Sequence, residues 1–109
     1  MASTYKVLGQ SNPSAATPTD IYTVPGATSA VVSTVVIANR SAVPTSIRLS
    51  VRVAGAGADN KQFLAYDAPI GANEFITLTL GITLATTDVL TVYATLATVS
   101  FNVFGEEIT

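Results

Sequence analysis

Ser46-Ile47-Arg48-Leu49-Ser50-Val51-Arg52-Val53 decides the fold class. Ile47, Leu49, Val51 and Val53 alternate without error against Ser46, Arg48, Ser50 and Arg52. Alternate side chains of an extended strand point to opposite faces, so this spacing buries one face and wets the other. On a helix the same residues would scatter around the axis and leave no apolar stripe. The segment reads as a half-buried β-strand.

Outward from it, the same chemistry repeats. Upstream lie a long Val/Ile/Thr run from Ala30 to Asn39, a short run from Asp20 to Val24, and a first strand from Tyr5 to Gln10. Downstream, Lys61 to Asp67 carries Phe63 and Tyr66, and Glu74 to Leu80 sets Ile76, Leu78 and Leu80 against Phe75, Thr77 and Thr79. Asp88 to Leu96 places Leu90, Val92, Ala94 and Leu96 opposite Val89, Thr91, Tyr93 and Thr95. Val99, Phe101 and Val103 then alternate with Ser100, Asn102 and Phe104, ahead of Gly105-Glu106-Glu107-Ile108-Thr109. Gly81 to Thr87 is ambiguous between a strand and a single helical turn.

Between these runs fall the chain breakers. Pro13, Pro18, Pro25, Pro44 and Pro69 read as connections, because proline cannot donate to a sheet ladder. Ser11 to Thr19 is an extended connection, Pro25-Gly26 a turn pair, and Gly55-Ala56-Gly57-Ala58-Asp59-Asn60 a flexible loop. The expectation is an all-β chain: a single β-sandwich over residues 1–109, of about seven to eight antiparallel strands with extended terminal arms. Strand spacing alone leaves jelly-roll and immunoglobulin-like order both open.

Composition narrows the function. The chain has 109 residues, 49% apolar and only 11% charged, with a formal net charge of -2. Soluble domains average about 25% charged residues; here 25 Ser and Thr residues take their place. Such a surface suits lasting contact with other protein better than free diffusion at high concentration. No stretch approaches the roughly 20 apolar residues of a spanning helix, so no membrane partner is expected. Met1-Ala2-Ser3-Thr4-Tyr5-Lys6 lacks the basic head and apolar run of a secretory signal.

The inventory for catalysis is thin. There is no Cys and no His, which removes disulfides, thiolate nucleophiles, imidazole bases and most zinc sites. Glu106 and Glu107 are neighbours that an extended chain points to opposite faces. Asp20, Asp59, Asp67 and Asp88 read as turn formers and solvated charges. Asp59-Asn60 lacks the acidic density of a calcium loop. We therefore expect no catalytic residues, no cofactor, no metal and no enzyme activity. Arg48 and Arg52 share one strand face about 13 Å apart, but the net negative charge argues against a nucleic-acid partner. They read instead as groups that wet an outer face or reach a partner's carboxylate. Asn39-Arg40-Ser41 matches a glycosylation sequon without a secretion signal. Tyr5, Tyr22, Tyr66 and Tyr93 read as lining or capping the core with hydroxyls at its rim. A small carbohydrate-binding module is the alternative from another functional class.

Six segments carry a resemblance. Ile21-Tyr22-Thr23-Val24-Pro25, Val35-Val36-Ile37-Ala38-Asn39-Arg40, Leu64-Ala65-Tyr66-Asp67, Ile70-Gly71-Ala72-Asn73-Glu74, Leu80-Gly81-Ile82-Thr83-Leu84 and Ser100-Phe101-Asn102-Val103-Phe104-Gly105 span most of the chain. Together they resemble small β-sandwich virion proteins of tailed bacteriophages, notably phages of cyanobacteria. The resemblance implies a capsid cement (decoration) subunit on the capsid exterior, made in the host cytoplasm. It would bind across major capsid proteins and self-associate as a dimer or trimer. A tail, baseplate or fibre component of the same particle is the alternative. The residues expected at the interface are Tyr5, Lys6 and Val7 at one end, Phe104 and Ile108 at the other, because terminal arms can add strands to a neighbouring sheet. Arg48 and Arg52 follow as partners for acidic groups.

Overall fold

The computed structural model describes residues 2–109. Nine strands run in chain order: β1 (Ser3–Ser11), β2 (Thr19–Thr23), β3 (Ser29–Asn39), β4 (Thr45–Arg52), β5 (Phe63–Ile70), β6 (Phe75–Leu78), β7 (Ile82–Leu84), β8 (Val89–Ala94) and β9 (Val99–Ile108). All pairings are antiparallel and form two sheets. One runs β1-β9-β3, with β6 and β7 both on the far side of β3; the other runs β2-β8-β4-β5.

This is the expected all-β sandwich. Its strand order also separates the two architectures left open. β1 and β2 lie in different sheets, and each sheet places a late strand between two early ones. That interleaving is jelly-roll order, whereas immunoglobulin order keeps the first two strands in one sheet. The ninth strand comes from an interrupted edge. β6 and β7 lie along different parts of β3, and between them Gly81 takes φ +62. The ambiguous Gly81–Thr87 segment therefore supplies β7 and a turn, not a helical turn.

The core lies between the sheets. Ile47 and Leu49 of β4, Leu90, Val92 and Ala94 of β8, and Val99, Phe101 and Val103 of β9 are fully buried, as their alternation requires. Val35 and Ile37 of β3 complete its centre. The alternation fails at element ends. Val53 leaves β4 for a 3₁₀ turn and is 67% exposed, and Leu80 lies past the end of β6 and is exposed too.

Three boundaries differ from the sequence reading. Lys61 and Gln62 belong to a 3₁₀ turn (Asn60–Gln62), closed by the Asp59 side chain accepting from the Lys61 amide. Pro69 lies inside β5 rather than between strands, which is tolerated because β5 is an edge. The expected terminal arms are strands of the chain's own sheet. β1 pairs with β9 from Ser3↔Ile108 to Ser11↔Phe101, and Ala2 and Thr109 exchange two backbone hydrogen bonds of 2.8 Å.

Candidate interaction surface

Pairing of the first strand with the last brings together residues about a hundred positions apart in sequence. Cα partners are Tyr5↔Glu106, Lys6↔Gly105 and Val7↔Phe104 across β1 and β9, then Val31↔Glu106 and Thr34↔Phe104 across β9 and β3. Strand phase sends Tyr5, Val7, Val31, Phe104 and Glu106 to the outer face, because Leu8, Val32 and Val103 point into the core. A shallow depression of about 500 Å³ lies among them. Tyr5 is 81% exposed.

Two extra residues shape this face. Between the Phe104 and Val103 levels the β1 register skips Leu8, and between the Gly105 and Phe104 levels the β3 register skips Ser33. Both neighbours of β9 therefore bulge at nearly the same height, which bends the sheet and increases its twist. The Ser33 hydroxyl donates to the Phe104 carbonyl at 3.2 Å. Gly105 is required just above, since a Cβ there would lie 2.1 Å from the Val31 carbonyl oxygen.

The outer face of this sheet is nearly uncharged. Its outward positions on β1, β9, β3, β6 and β7 are Ser, Tyr, Val, Gln, Asn, Phe, Ile, Thr and Ala, with Glu106 alone ionised. Glu107, one residue on, turns inward. It accepts a 2.6 Å hydrogen bond from the Tyr22 hydroxyl of the facing sheet and lies 3.0 Å from the Lys6 ammonium. Those two donors hold the Glu107 carboxyl below the usual carboxylate range. Burial, with the same carboxylate beside it, pushes the Tyr22 phenol well above its ordinary value. Lys6 and Glu107 of one sheet are thus tied to Tyr22 of the other.

Arg48 and Arg52 lie elsewhere, on the outer face of the other sheet, and find their carboxylates within the chain. The register of β5 against β4 carries two extra residues, one of them at Arg48, so Tyr66 and Asp67 both lie opposite it. Arg48 donates to Asp67 at 2.7 Å, and that hydrogen bond is the main reason its guanidinium stays charged beyond the ordinary range. The guanidinium sits 4.2 Å from the centre of the Tyr66 ring and 4.3 Å from that of Tyr93. Arg52 donates to Asp20 at 2.8 Å, to Thr91 Oγ1, and to the carbonyls of Gly55 and Ala56.

Tyr5, Lys6, Val7 and Phe104 therefore meet around one depression. Ile108 borders a separate hollow with Ala27–Ser29, Ala85 and Thr86. The two arginines belong to the opposite face. Sequence reading missed Val31 and Ser33, which join the face through β3–β9 pairing, and Glu106, which pairs with Tyr5 as well as Val31; the outward phase of Val31 was the available signal. Two expectations need correction. Among the tyrosines, only Tyr22 caps the core, while Tyr5 and Tyr66 are exposed and Tyr93 backs Arg48. Asp88 is buried rather than solvated, and accepts from the amides of Ala54 and Ala85. The sequon residue Asn39, set aside in the sequence for want of a secretion signal, is 3% exposed, and its amide nitrogen bonds the carbonyls of Val43 and Gly71, which leaves no room for a glycan.

Among the described residues, no three acidic side chains approach closely enough to hold a metal ion, and no helix is long and apolar enough to cross a membrane. No protein-family model, curated protein or solved structure matches the chain.

Proposed function

We propose that this chain is a non-enzymatic structural subunit of a phage particle, a capsid cement protein that works by adhesion. The observation that carries the reading is the outer face of the β1-β9-β3 sheet, which presents Tyr5, Val7, Val31 and Phe104 with Glu106 as its one outward charged side chain and Lys6 at the border of the depression. Burying such a face against protein removes apolar area from water at the cost of desolvating Glu106 and the bordering Lys6, which already has Glu107 as its partner. The opposite sheet differs, since its arginines are already paired with Asp67 and Asp20.

The mechanism needs only complementary surface. A standard interface buries about 800 Å² on each partner, and the molecule exposes 5579 Å² in all. One face can therefore straddle two major capsid proteins and leave most of the subunit in solvent. Contacts that are weak singly become strong together, because a subunit held by one neighbour meets the next at high effective concentration. The resemblance to phage virion proteins supplies the partner, and the uncharged face supplies the means.

The test combines stoichiometry with charge insertion. Cement should appear in hundreds of copies per purified particle. A count in the tens would move the protein to the tail or baseplate and overturn the cement reading. Val7→Lys combined with Tyr5→Glu alters exposed positions, so thermal stability should stay within about 0.5 kcal/mol. Binding to undecorated capsids, read by co-sedimentation, should fall at least about tenfold, roughly the cost of burying one unpaired charge. Undiminished binding by this variant would exclude the face.

A further inference from the structure

On the opposite sheet, Phe63 and Tyr66 of β5 form a right-angled corner. Their ring centres are 4.8 Å apart and their planes cross at 81°. Together with Asn60 they border an open hollow of about 300 Å³, at the small end of ligand pockets. Tyr66 is 57% exposed, yet it is held in place. Arg48 stacks on it at 4.2 Å and is itself fixed by Asp67 and backed by Tyr93. Asn60 opens the 3₁₀ turn whose capping box ties the Asp59 and Gln62 side chains to each other's backbone. The Asn60 side-chain amide makes no hydrogen bond among the described residues, so its donor and acceptor are both unused.

We propose that this corner is a subsite for a neutral pyranose sugar. Two rigid rings at right angles offer a floor and a wall to the C–H face of a sugar ring, and little ordering entropy is lost on binding. A flat aromatic ligand would stack on one ring and leave the other idle. The Asn60 amide can donate to one hydroxyl and accept from its neighbour, while the remaining hydroxyls stay wet at the open rim. Arg48 and Asp67 neutralise each other beside the hollow, so the site does not select a charged ligand. The subsite lies on the sheet opposite the adhesive face and does not depend on that face being the docking surface.

The experiment is a titration of the ¹⁵N-labelled full chain with the methyl glycosides of glucose, galactose and mannose, each to about 100 mM, against an expected Kd on the order of 1–10 mM. At least one sugar should shift the backbone amides of residues 60–66 and the Asn60 side-chain amide along a saturable curve. Tyr66→Ala and, independently, Asn60→Ala should each weaken that binding at least about fivefold and leave the rest of the spectrum in place. Three outcomes would overturn the proposal: no saturable shift with any glycoside, binding unchanged in both variants, or equal affinity for cyclohexanol or a short proline-rich peptide.

Discussion

Gly9 and Gly105 sit where strands come closer than any side chain allows. A Cβ on Gly9 would lie 2.3 Å from the Ile21 carbonyl oxygen, where β1 passes the bulge in β2. On Gly105 it would lie 2.1 Å from the Val31 oxygen. Alanine at either position forces backbone to move and should cost about 1–3 kcal/mol in urea denaturation. Gly57→Ala, with nothing within 4 Å, is the control and should change stability by less than about 0.5 kcal/mol. Equal effects at all three sites would refute the close-approach argument. The Tyr22–Glu107 pair makes a prediction in pH. The folded state lowers the Glu107 pKa, so its contribution is present above the unfolded carboxylate value of about 4.3 and is lost as pH falls through the folded one. It raises the Tyr22 pKa, so that contribution is present below the unfolded phenol value of about 10 and is lost as pH climbs toward the folded one. Tyr22→Phe should reduce the alkaline loss of Tm and also shrink the acid loss, since Glu107 then keeps only Lys6.

Among the elements, the strand ends at one pole of the sandwich are tied through Asn39, the last residue of β3. Its amide nitrogen donates to the carbonyls of Val43 at 2.9 Å and Gly71 at 3.0 Å, and its carbonyl accepts from the Ser41 amide and the Thr98 hydroxyl. One side chain thus joins the β3–β4, β5–β6 and β8–β9 connections. Asn39→Ala removes all four hydrogen bonds of a buried side chain and should cost about 2–3 kcal/mol, lowering Tm by on the order of 10 °C. Hydrogen exchange should quicken in all three connections together; faster exchange in Ser41–Pro44 alone would break the claim of a shared tie. The edges follow a different rule. β1, β2 and β5 each carry an irregular register, and the β6–β7 edge is interrupted. Interrupted edges resist strand addition by stray chains, which favours the outer face over an edge as the proposed adhesive surface.

Across the whole molecule, the pairing of β1 with β9 makes both chain ends part of one sheet. Folding must therefore wait for contacts of the longest sequence separation, and loop closure slows such topologies. Refolding from urea should take milliseconds to seconds, and a chain ended at Phe104 should lose cooperative unfolding altogether. That deletion removes Gly105–Thr109, the partners of Ser3–Lys6 and Ser29–Val32. A truncated chain with a sharp native-like transition would show that the terminal pairing is dispensable. The same pairing builds the face proposed to be adhesive, so truncation should abolish the proposed capsid binding along with stability.

Local chemistry along the chain determined the strands, the alternation that buries Ile47, Leu49, Leu90, Val92, Phe101 and Val103, and most turns, because period-two patterning is a property of neighbouring residues. It also revealed the poverty of catalytic groups. Pro69 and Asp88 were misread because each is governed by a partner distant in sequence, and Val53 because a local 3₁₀ turn takes it out of the strand. The same holds for the candidate surface: Tyr5, Val7 and Phe104 were legible one by one as terminal residues. Their meeting with Val31, the inward turn of Glu107 and the capture of Arg48 between Tyr66 and Tyr93 follow from strand order and bulges. Those were decided only by tertiary structure, since a one-residue change of register sends every following side chain to the opposite face.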